Sequence, residues 1–231
     1  MNFALVVAAG SGSRMKLEGL PKQFLKVNDV PVLVYSLKTF ASHKDISGIV
    51  IVANPAYIPL VVQFVEEYHI EKVLAVVSGG ETRQESVFHG LETFKEFRIK
   101  DDDIVLIHDA ARPLVNENII TSNIKECQKH EAVTTALSVN DTIAVTNENK
   151  EIIDVPNRET LFAIQTPQTF KYSLILKAHE NYNAHPFKYV TDDTSLVKKL
   201  NHPVYIVEGN KENLKITTQE DLSIVEQFLK K

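Results

Sequence analysis

The chain has 231 residues, 44% of them hydrophobic, and a formal net charge of −5. That length allows one substantial core, and the acidic balance argues against a protein that embraces nucleic acid through bulk electrostatics, so local Arg and Lys clusters must serve a small anion. A single cysteine, Cys127, excludes an intramolecular disulfide framework and a Cys-rich zinc site. No apolar run approaches transmembrane length, and Met1 leads straight into a strand without a basic region or cleavage site, which points to a cytoplasmic protein without membrane contacts.

In chain order, a valine-rich strand from Phe3 breaks into Gly10-Ser-Gly12-Ser and then offers Arg14 and Lys22. Glycines without Cβ let main-chain N–H groups approach an anion, and the cations neutralise it. Leu33, Leu37 and Phe40 recur at helical spacing, Gly48–Ala53 is a fully apolar strand, and Ile58, Val61, Val62 and Val65 mark a helix that begins near Pro55 or Pro59. A third strand, Val73–Val77, runs into Gly79-Gly80 and a helix near Ser86 carrying Val87, Leu91 and Phe94; a fourth, Ile104–Ile107, ends in His108-Asp109. This alternation predicts an α/β fold, doubly wound, with a mostly parallel sheet.

Ala132–Val139 reads as a further strand, with Cys127 on a helix before it. Residues 138–162 are polar with short apolar pieces and do not fit the rhythm; they predict a protruding β-arm on a single domain spanning 1–231, an arm that covers a site or grips a second subunit. Helices follow near Lys171–Tyr182 and Asp193–Leu200, strands at Val204–Val207 and Leu214–Ile216, and a last helix capped by Thr217-x-x-Glu220 or Thr218-x-x-Asp221.

Ligands of open α/β sheets bind outside the carboxyl ends of the strands. That edge would collect Ala8–Arg14, Gly79-Gly-Glu-Thr-Arg83, His108-Asp-Ala-Ala-Arg-Pro113 and Lys215. The first loop lacks the Gly-Lys-Ser/Thr ending of a P-loop, and Met15 stands where a dinucleotide fingerprint needs its third glycine. No Gly-x-Ser-x-Gly elbow and no zinc-like ligand spacing occur. Asp109 is placed to hold Mg²⁺, which binds through one or two carboxylates plus substrate phosphates. Each feature also has a plain structural reading: a strand-to-helix turn, a helix-capping Asp109, a packed His108, solvated Arg83 and Arg158, a turn at Gln165–Gln168. Lys215 inside an apolar segment resists that reading, because a buried cation needs an anion to meet.

Taken in order, Ala8-Ala-Gly-Ser-Gly-Ser-Arg-Met15, Pro21-Lys-Gln-Phe24, Gly79-Gly-Glu-Thr-Arg83 with Ser86, His108–Pro113, Asp141-Thr142, Gln165-Thr-Pro-Gln168, Thr191-Asp-Asp193 and Leu214-Lys-Ile-Thr217 resemble the 2-C-methyl-D-erythritol 4-phosphate cytidylyltransferases over essentially the whole chain. The resemblance implies a Rossmann-like nucleotidyltransferase fold and a Mg²⁺-dependent transfer of a cytidylyl group from CTP to a polyol phosphate. By the same resemblance Arg14 and Lys22 hold the triphosphate and stabilise transition-state charge. CTP would lie against Ala8, Ala9, Gly10, Ser11 and Gly12, and against Gly79, Gly80, Glu81, Arg83 and Ser86, with Asp109, Ala110 and Lys215 beside its phosphates. Asp109, Arg112, Thr142, Arg158, Thr166 and Lys215 would carry the polyol phosphate, with Arg158 and Lys215 orienting its attacking oxygen. Arg158 lies in the arm, which in the family crosses to the other subunit of a homodimer.

The chain departs from the family at Ser138 and Ala144, where proline and lysine are usual. Ribitol-5-phosphate cytidylyltransferases share most of the motifs, although Ala8-Ala9-Gly10 and Ala110-Ala111-Arg112 sit closer to the methylerythritol enzymes. A non-catalytic nucleotide sensor on the same fold and an NAD-dependent oxidoreductase are the readings of other classes.

Overall fold

The computed structural model describes residues 1–10 and 20–230. Seven strands form one sheet: β1 (Asn2–Ala8), β2 (Gly48–Ala53), β3 (Val73–Ser78), β4 (Ile104–Asp109), β5 (Ala132–Ser138), β6 (Phe162–Lys171) and β7 (Tyr205–Glu208). Their spatial order is β7-β5-β6-β4-β1-β2-β3. All neighbours are parallel except β6, which runs antiparallel to both β4 and β5.

Both faces of this sheet are covered, which is why its first four strands read as continuous apolar runs. Ala4, Val6 and Ala8 of β1, with Ile104 and Leu106 of β4, face α1 (Val32–Ser42), α2 (Ile58–Glu67) and α4 (Glu117–His130). Phe3, Leu5, Val105 and Ile107 alternate to the other face, against α3 (Arg83–Thr93), α5 (Tyr172–Ala184) and α6 (Asp193–Lys199). A third cluster joins the last helix, α7 (Gln219–Leu229), to Leu25, Val27 and Val32 through Ile216 and Val225. Cys127 is buried on α4, where burial pushes its thiol up to about 12, so its role is packing.

One expectation is corrected and one rival reading is set aside. Leu214–Ile216 is not a strand: the Ile216 amide donates to Ala111 O at 2.9 Å, but Leu214 bonds locally to Glu212, so no ladder forms. Residues 165–168 are not a turn but the middle of the ten-residue β6, whose pairing with β5 shifts register between Ile164 and Gln168 around Pro167, which has no N–H to give. Of the two caps considered for α7, the capping box is Thr218 with Asp221.

Residues 138–162 leave the sheet between β5 and β6. The Phe162–Ser138 pairing closes the base of this segment, and beyond it Val145–Thr146 pairs with Ile152–Asp154 as a small antiparallel hairpin. Ile152 and Ile153 are each 62% exposed, and Val155, Val145 and Ile143 are exposed beside them. Among the described residues no helix is long and apolar enough to cross a membrane.

Candidate active site

Strand register brings the carboxyl ends of β1 to β4 to one edge: Ala8 pairs with Ala53, Ala53 with Ser78, and Val7 with Asp109. The segments leaving these ends meet over the middle of the sheet, as ligand-binding loops of open α/β sheets do. Ala9-Gly10, Asn54, Gly80–Arg83 and Ala110-Ala111 wall a cleft with Lys22, Lys215 and Thr217. Its volume is about 480 Å³, within the range for small-ligand sites.

Each wall has a local cause. Gln23, buried in the single 3₁₀ turn Lys22–Phe24, donates from Nε2 to Ala8 O (2.7 Å) and Gly10 O (2.8 Å), fixing the exit of β1. The same turn presents Lys22, whose Nζ donates to Ile216 O at 2.6 Å and so ties the first loop to the segment that carries Lys215. A Cβ on Gly79 would lie 2.4 Å from Ala9 Cβ, so only glycine lets the second loop approach the first this closely. Thr82 caps α3 by accepting from Glu85 N at 3.1 Å, which starts the helix at Arg83 rather than near Ser86. Ser86 Oγ donates to Thr82 O (2.8 Å) and accepts from Gly80 N (3.1 Å), bracing the glycine turn.

Asp109 closes β4. Its amide donates to Thr166 Oγ1 at 3.1 Å, and its carboxylate takes Lys215 Nζ at 2.6 Å on Oδ2 and Arg83 Nε at 3.3 Å on Oδ1. Burial alone would raise its pKa, but Arg83 and Lys215 outweigh it and hold the carboxyl well below the usual carboxylate range. Lys215 thus meets the anion its sequence setting requires. Arg83 is held in turn by Asp193, at 2.8 Å from Nη1; burial would lower its pKa, and the two carboxylates raise it.

His108 is the packed histidine of the plain reading. It is fully buried, with Nε2 3.1 Å from Arg112 O and Nδ1 3.1 Å from Thr166 Oγ1. A carbonyl only accepts, so Nε2 carries the proton and Nδ1 accepts from the threonine. Burial lowers its pKa to about 4. The unfolded chain binds a proton near 6.5 and the folded one does not, so stability falls as pH drops from about 6.5 to about 4, by roughly 3 kcal/mol. Thermal melts across that window are expected to show this fall in the wild type and a shallower one in His108→Gln; parallel curves would refute it.

Of the sequence-predicted residues, Ala8, Ala9, Gly10, Lys22, Gly80, Glu81, Arg83, Ser86, Asp109, Ala110 and Lys215 line the cleft. Gly79 and Thr166 stand behind its wall as braces. Arg112 lies beside it, donating from Nη1 to Asn213 O at 2.7 Å and from Nη2 to Ile164 O at 3.5 Å, with Nε buried and unpaired among the described residues. Thr142 and Arg158 are exposed on residues 138–162 and are not among the described residues that line the cleft; Arg158 Nη1 donates to Asn140 O at 3.4 Å. Ser11, Gly12 and Arg14 lie outside the described residues. Sequence reasoning brought Thr82 to this edge but gave no site role to Asn54 or Thr217, which also line the cleft. Asn54 follows β2 directly, and placing a side chain after every strand end would have found it.

Where these loops meet, Lys22, Arg83 and Lys215 face Asp109 and Glu81, so the cleft offers an anion more positive than negative charge beside one firmly ionised carboxylate. Fold and cleft together define an α/β nucleotide-binding enzyme that acts on phosphate groups. The profile of the 2-C-methyl-D-erythritol 4-phosphate cytidylyltransferases matches residues 2–231. A cytidylyltransferase of that name from Clostridium botulinum (strain Langeland) is 43% identical over 230 residues, covering 100% of this chain and 98% of its own. One from Desulforamulus reducens is 43% identical over 229 residues, covering 99% and 95%. Among solved structures, the 4-diphosphocytidyl-2C-methyl-D-erythritol synthase of Anaerococcus prevotii superposes with a TM-score of 0.85 at 32% identity, covering 100% of this chain and 96% of that one. The Thermus thermophilus cytidylyltransferase gives 0.78 at 29% identity with 100% coverage of both chains. The chain belongs to the 2-C-methyl-D-erythritol 4-phosphate cytidylyltransferase family, as its eight ordered motifs imply.

Proposed function

We propose that this protein transfers the cytidylyl group of CTP to 2-C-methyl-D-erythritol 4-phosphate in the cytoplasm, releasing pyrophosphate and forming 4-diphosphocytidyl-2-C-methyl-D-erythritol. The observation that carries this reading is the convergence of Arg83 and Lys215 on Asp109 in a cleft that Lys22 also lines, in a chain of this family. A phosphate oxygen of the polyol attacks the α-phosphorus of CTP; the new P–O bond forms as the bond to the β-phosphate oxygen breaks, and pyrophosphate leaves with the electron pair. Charge spreads over the α-phosphate oxygens, so positioning and electrostatic stabilisation do most of the catalysis. Lys22 and Arg14 hold the triphosphate and stabilise that charge. The loops at Ala8–Gly12 and Gly79–Glu81, with Ser86, hold the nucleoside, while Arg112 and Lys215 serve the polyol phosphate and Thr166 braces Asp109 behind them.

A divalent cation fits the donor set. Asp109 offers ionised, hard oxygen at the cleft wall, and no cluster of three or more His, Cys, Asp and Glu occurs among the described residues, so substrate phosphates would complete the coordination, as Mg²⁺ prefers. When bound through Asp109, Mg²⁺ would supply neutralisation of triphosphate charge.

The molecule is one catalytic domain with the arm at 138–162 gripping a second copy, which would carry Thr142 and Arg158 to the partner's cleft. The exposed apolar residues of the arm support this, because contiguous patches of that kind mark interaction sites. Sedimentation equilibrium is expected to give twice the 26.0 kDa chain mass, and the double substitution I152D/I153D to give the single-chain mass with turnover lost alongside. A monomeric, fully active wild type would end this part of the reading.

The test of the function is pyrophosphate release from CTP and Mg²⁺, run in parallel with methylerythritol 4-phosphate and ribitol 5-phosphate. Turnover with the first alone is expected. Turnover with ribitol phosphate alone would make Ser138 and Ala144 the residues to explain, and silence with both in a CTP-binding protein would favour a sensor.

A further inference from the structure

The cleft is wired to a carboxylate that never reaches it. Asp193, in the first turn of α6, has 0% exposure and is absent from the cleft lining, yet its Oδ2 lies 2.8 Å from Arg83 Nη1. Its other oxygen takes His179 Nε2 of α5 at 3.1 Å, and His179 is equally buried. Burying a carboxylate is costly unless it is paired, and capping of the helix does not require this one. The α6 N-cap is the preceding residue, Asp192, which accepts from Ser195 N at 3.0 Å. Asp193 instead joins His179 of α5 to the arginine, and so gives Arg83 an anchor inside the protein.

The anchor is firmly set. Asp193 N donates to Gln168 Oε1 at 3.0 Å, and Gln168 Nε2 donates to Asp192 Oδ2 at 2.8 Å, so the start of α6 is fastened to the middle of β6. From that fixed end the planar guanidinium of Arg83 reaches outward, with Nε on Asp109 Oδ1 at 3.3 Å. The contacts run from His179 through Asp193 and Arg83 to Asp109, whose far oxygen meets Lys215.

We propose that Asp193 is a positioning residue for the transfer: it fixes Arg83, and Arg83 sets the Asp109 carboxylate at the cleft wall. The proposal rests on the reading of this cleft as the cytidylyl-transfer site. Without Asp193, Arg83 is free to turn both arms of its fork onto Asp109, occupying the oxygens that nucleotide-bound Mg²⁺ requires. Loss of such an outer partner typically costs tenfold to a hundredfold.

The test is a double-substitution cycle of wild type, D193N, R83Q and R83Q/D193N, read by steady-state kinetics and by thermal melting. In the wild-type background D193N is expected to lower kcat by about tenfold or more and to raise the Mg²⁺ needed for half-maximal rate, with KM for the polyol phosphate within about twofold. In the R83Q background it is expected to change neither kcat nor melting temperature appreciably. D193N alone removes one of the two carboxylates that hold buried Arg83 and can fail to fold; R83Q/D193N removes both charges of that pair, so a folded double variant that turns over like R83Q supports the proposal. A double variant that unfolds where R83Q folds, an equal loss from D193N in both backgrounds, or no loss in the wild-type background would each overturn it. A wild-type protein that turns over neither polyol phosphate fails before any substitution is made, and overturns the underlying reading as well.

Discussion

Asp109→Asn is expected to lower turnover by at least ~10²-fold, on the scale for removing one strong electrostatic element of a transfer site. The amide keeps the shape of the side chain, and the backbone stays tied through Asp109 N to Thr166 Oγ1, so the loss would reflect charge rather than collapse. Two consequences follow from the missing charge. Mg²⁺ loses the hard anionic ligand proposed for it, and Lys215 and Arg83 lose the anion that holds their positions. Stability should also fall, by about 2 kcal/mol, less than for a fully buried pair because Lys215 is more than a third exposed. The folded pKa of Asp109 is depressed, so its contribution is complete above the unfolded carboxylate range and is lost as pH falls through the folded value. The melting difference between variant and wild type should therefore be flat from pH 6 to 8 and close only in strong acid. Turnover within threefold of wild type would remove Asp109 from the mechanism.

Lys22→Ala is expected to lower kcat by at least ~10²-fold while CTP binding weakens by less, because a cation that meets charge developing in the transition state contributes more there than in the ground state. Lys22 lines the cleft, and its Nζ lies 2.6 Å from Ile216 O, next to Lys215 in sequence. Removing it therefore also loosens the tie between the first loop and the segment that carries Lys215. Lys22→Arg separates the two roles: it keeps a cation with a different shape and should recover part of kcat if charge dominates. Steady-state kinetics paired with calorimetric CTP titration checks this. Unchanged kcat, or losses in kcat and affinity of equal size, would refute the role given to Lys22.

Much of this was legible in the chain itself. Strands β1, β2 and β4 are buried on both faces, so they appear as unbroken apolar runs, and the residues following them fall at the ligand edge by topology alone. The order of eight short motifs named the family before any geometry. Lys215 does meet an anion, Asp109, although its side chain is more than a third exposed and its segment is not a strand, so the burial assumed from Leu214 and Ile216 is only partial.

What the tertiary structure alone decided concerns buried polar groups. Strand β6 escaped the sequence reading because Gln165, Thr166, Gln168 and Thr169 are polar and Pro167 interrupts them, yet all four are buried. They are buried because they bond residues distant in sequence: Thr169 Oγ1 donates to Asn123 Oδ1 at 3.0 Å, and Gln168 Nε2 to Asp192 Oδ2 at 2.8 Å. Hydropathy and period carry no record of such partners. The same blindness hid Asp193, which reads as one more helix-start acid but is the buried counter-charge of Arg83. Leu214–Ile216 failed in the other direction, with the apolar pattern of a strand but, among the described residues, one main-chain bond to a neighbouring segment. Sequence fixes which side chains prefer the interior and where the strands must end. Only the folded chain decides which polar groups are satisfied there, because satisfaction depends on pairs separated by tens of residues.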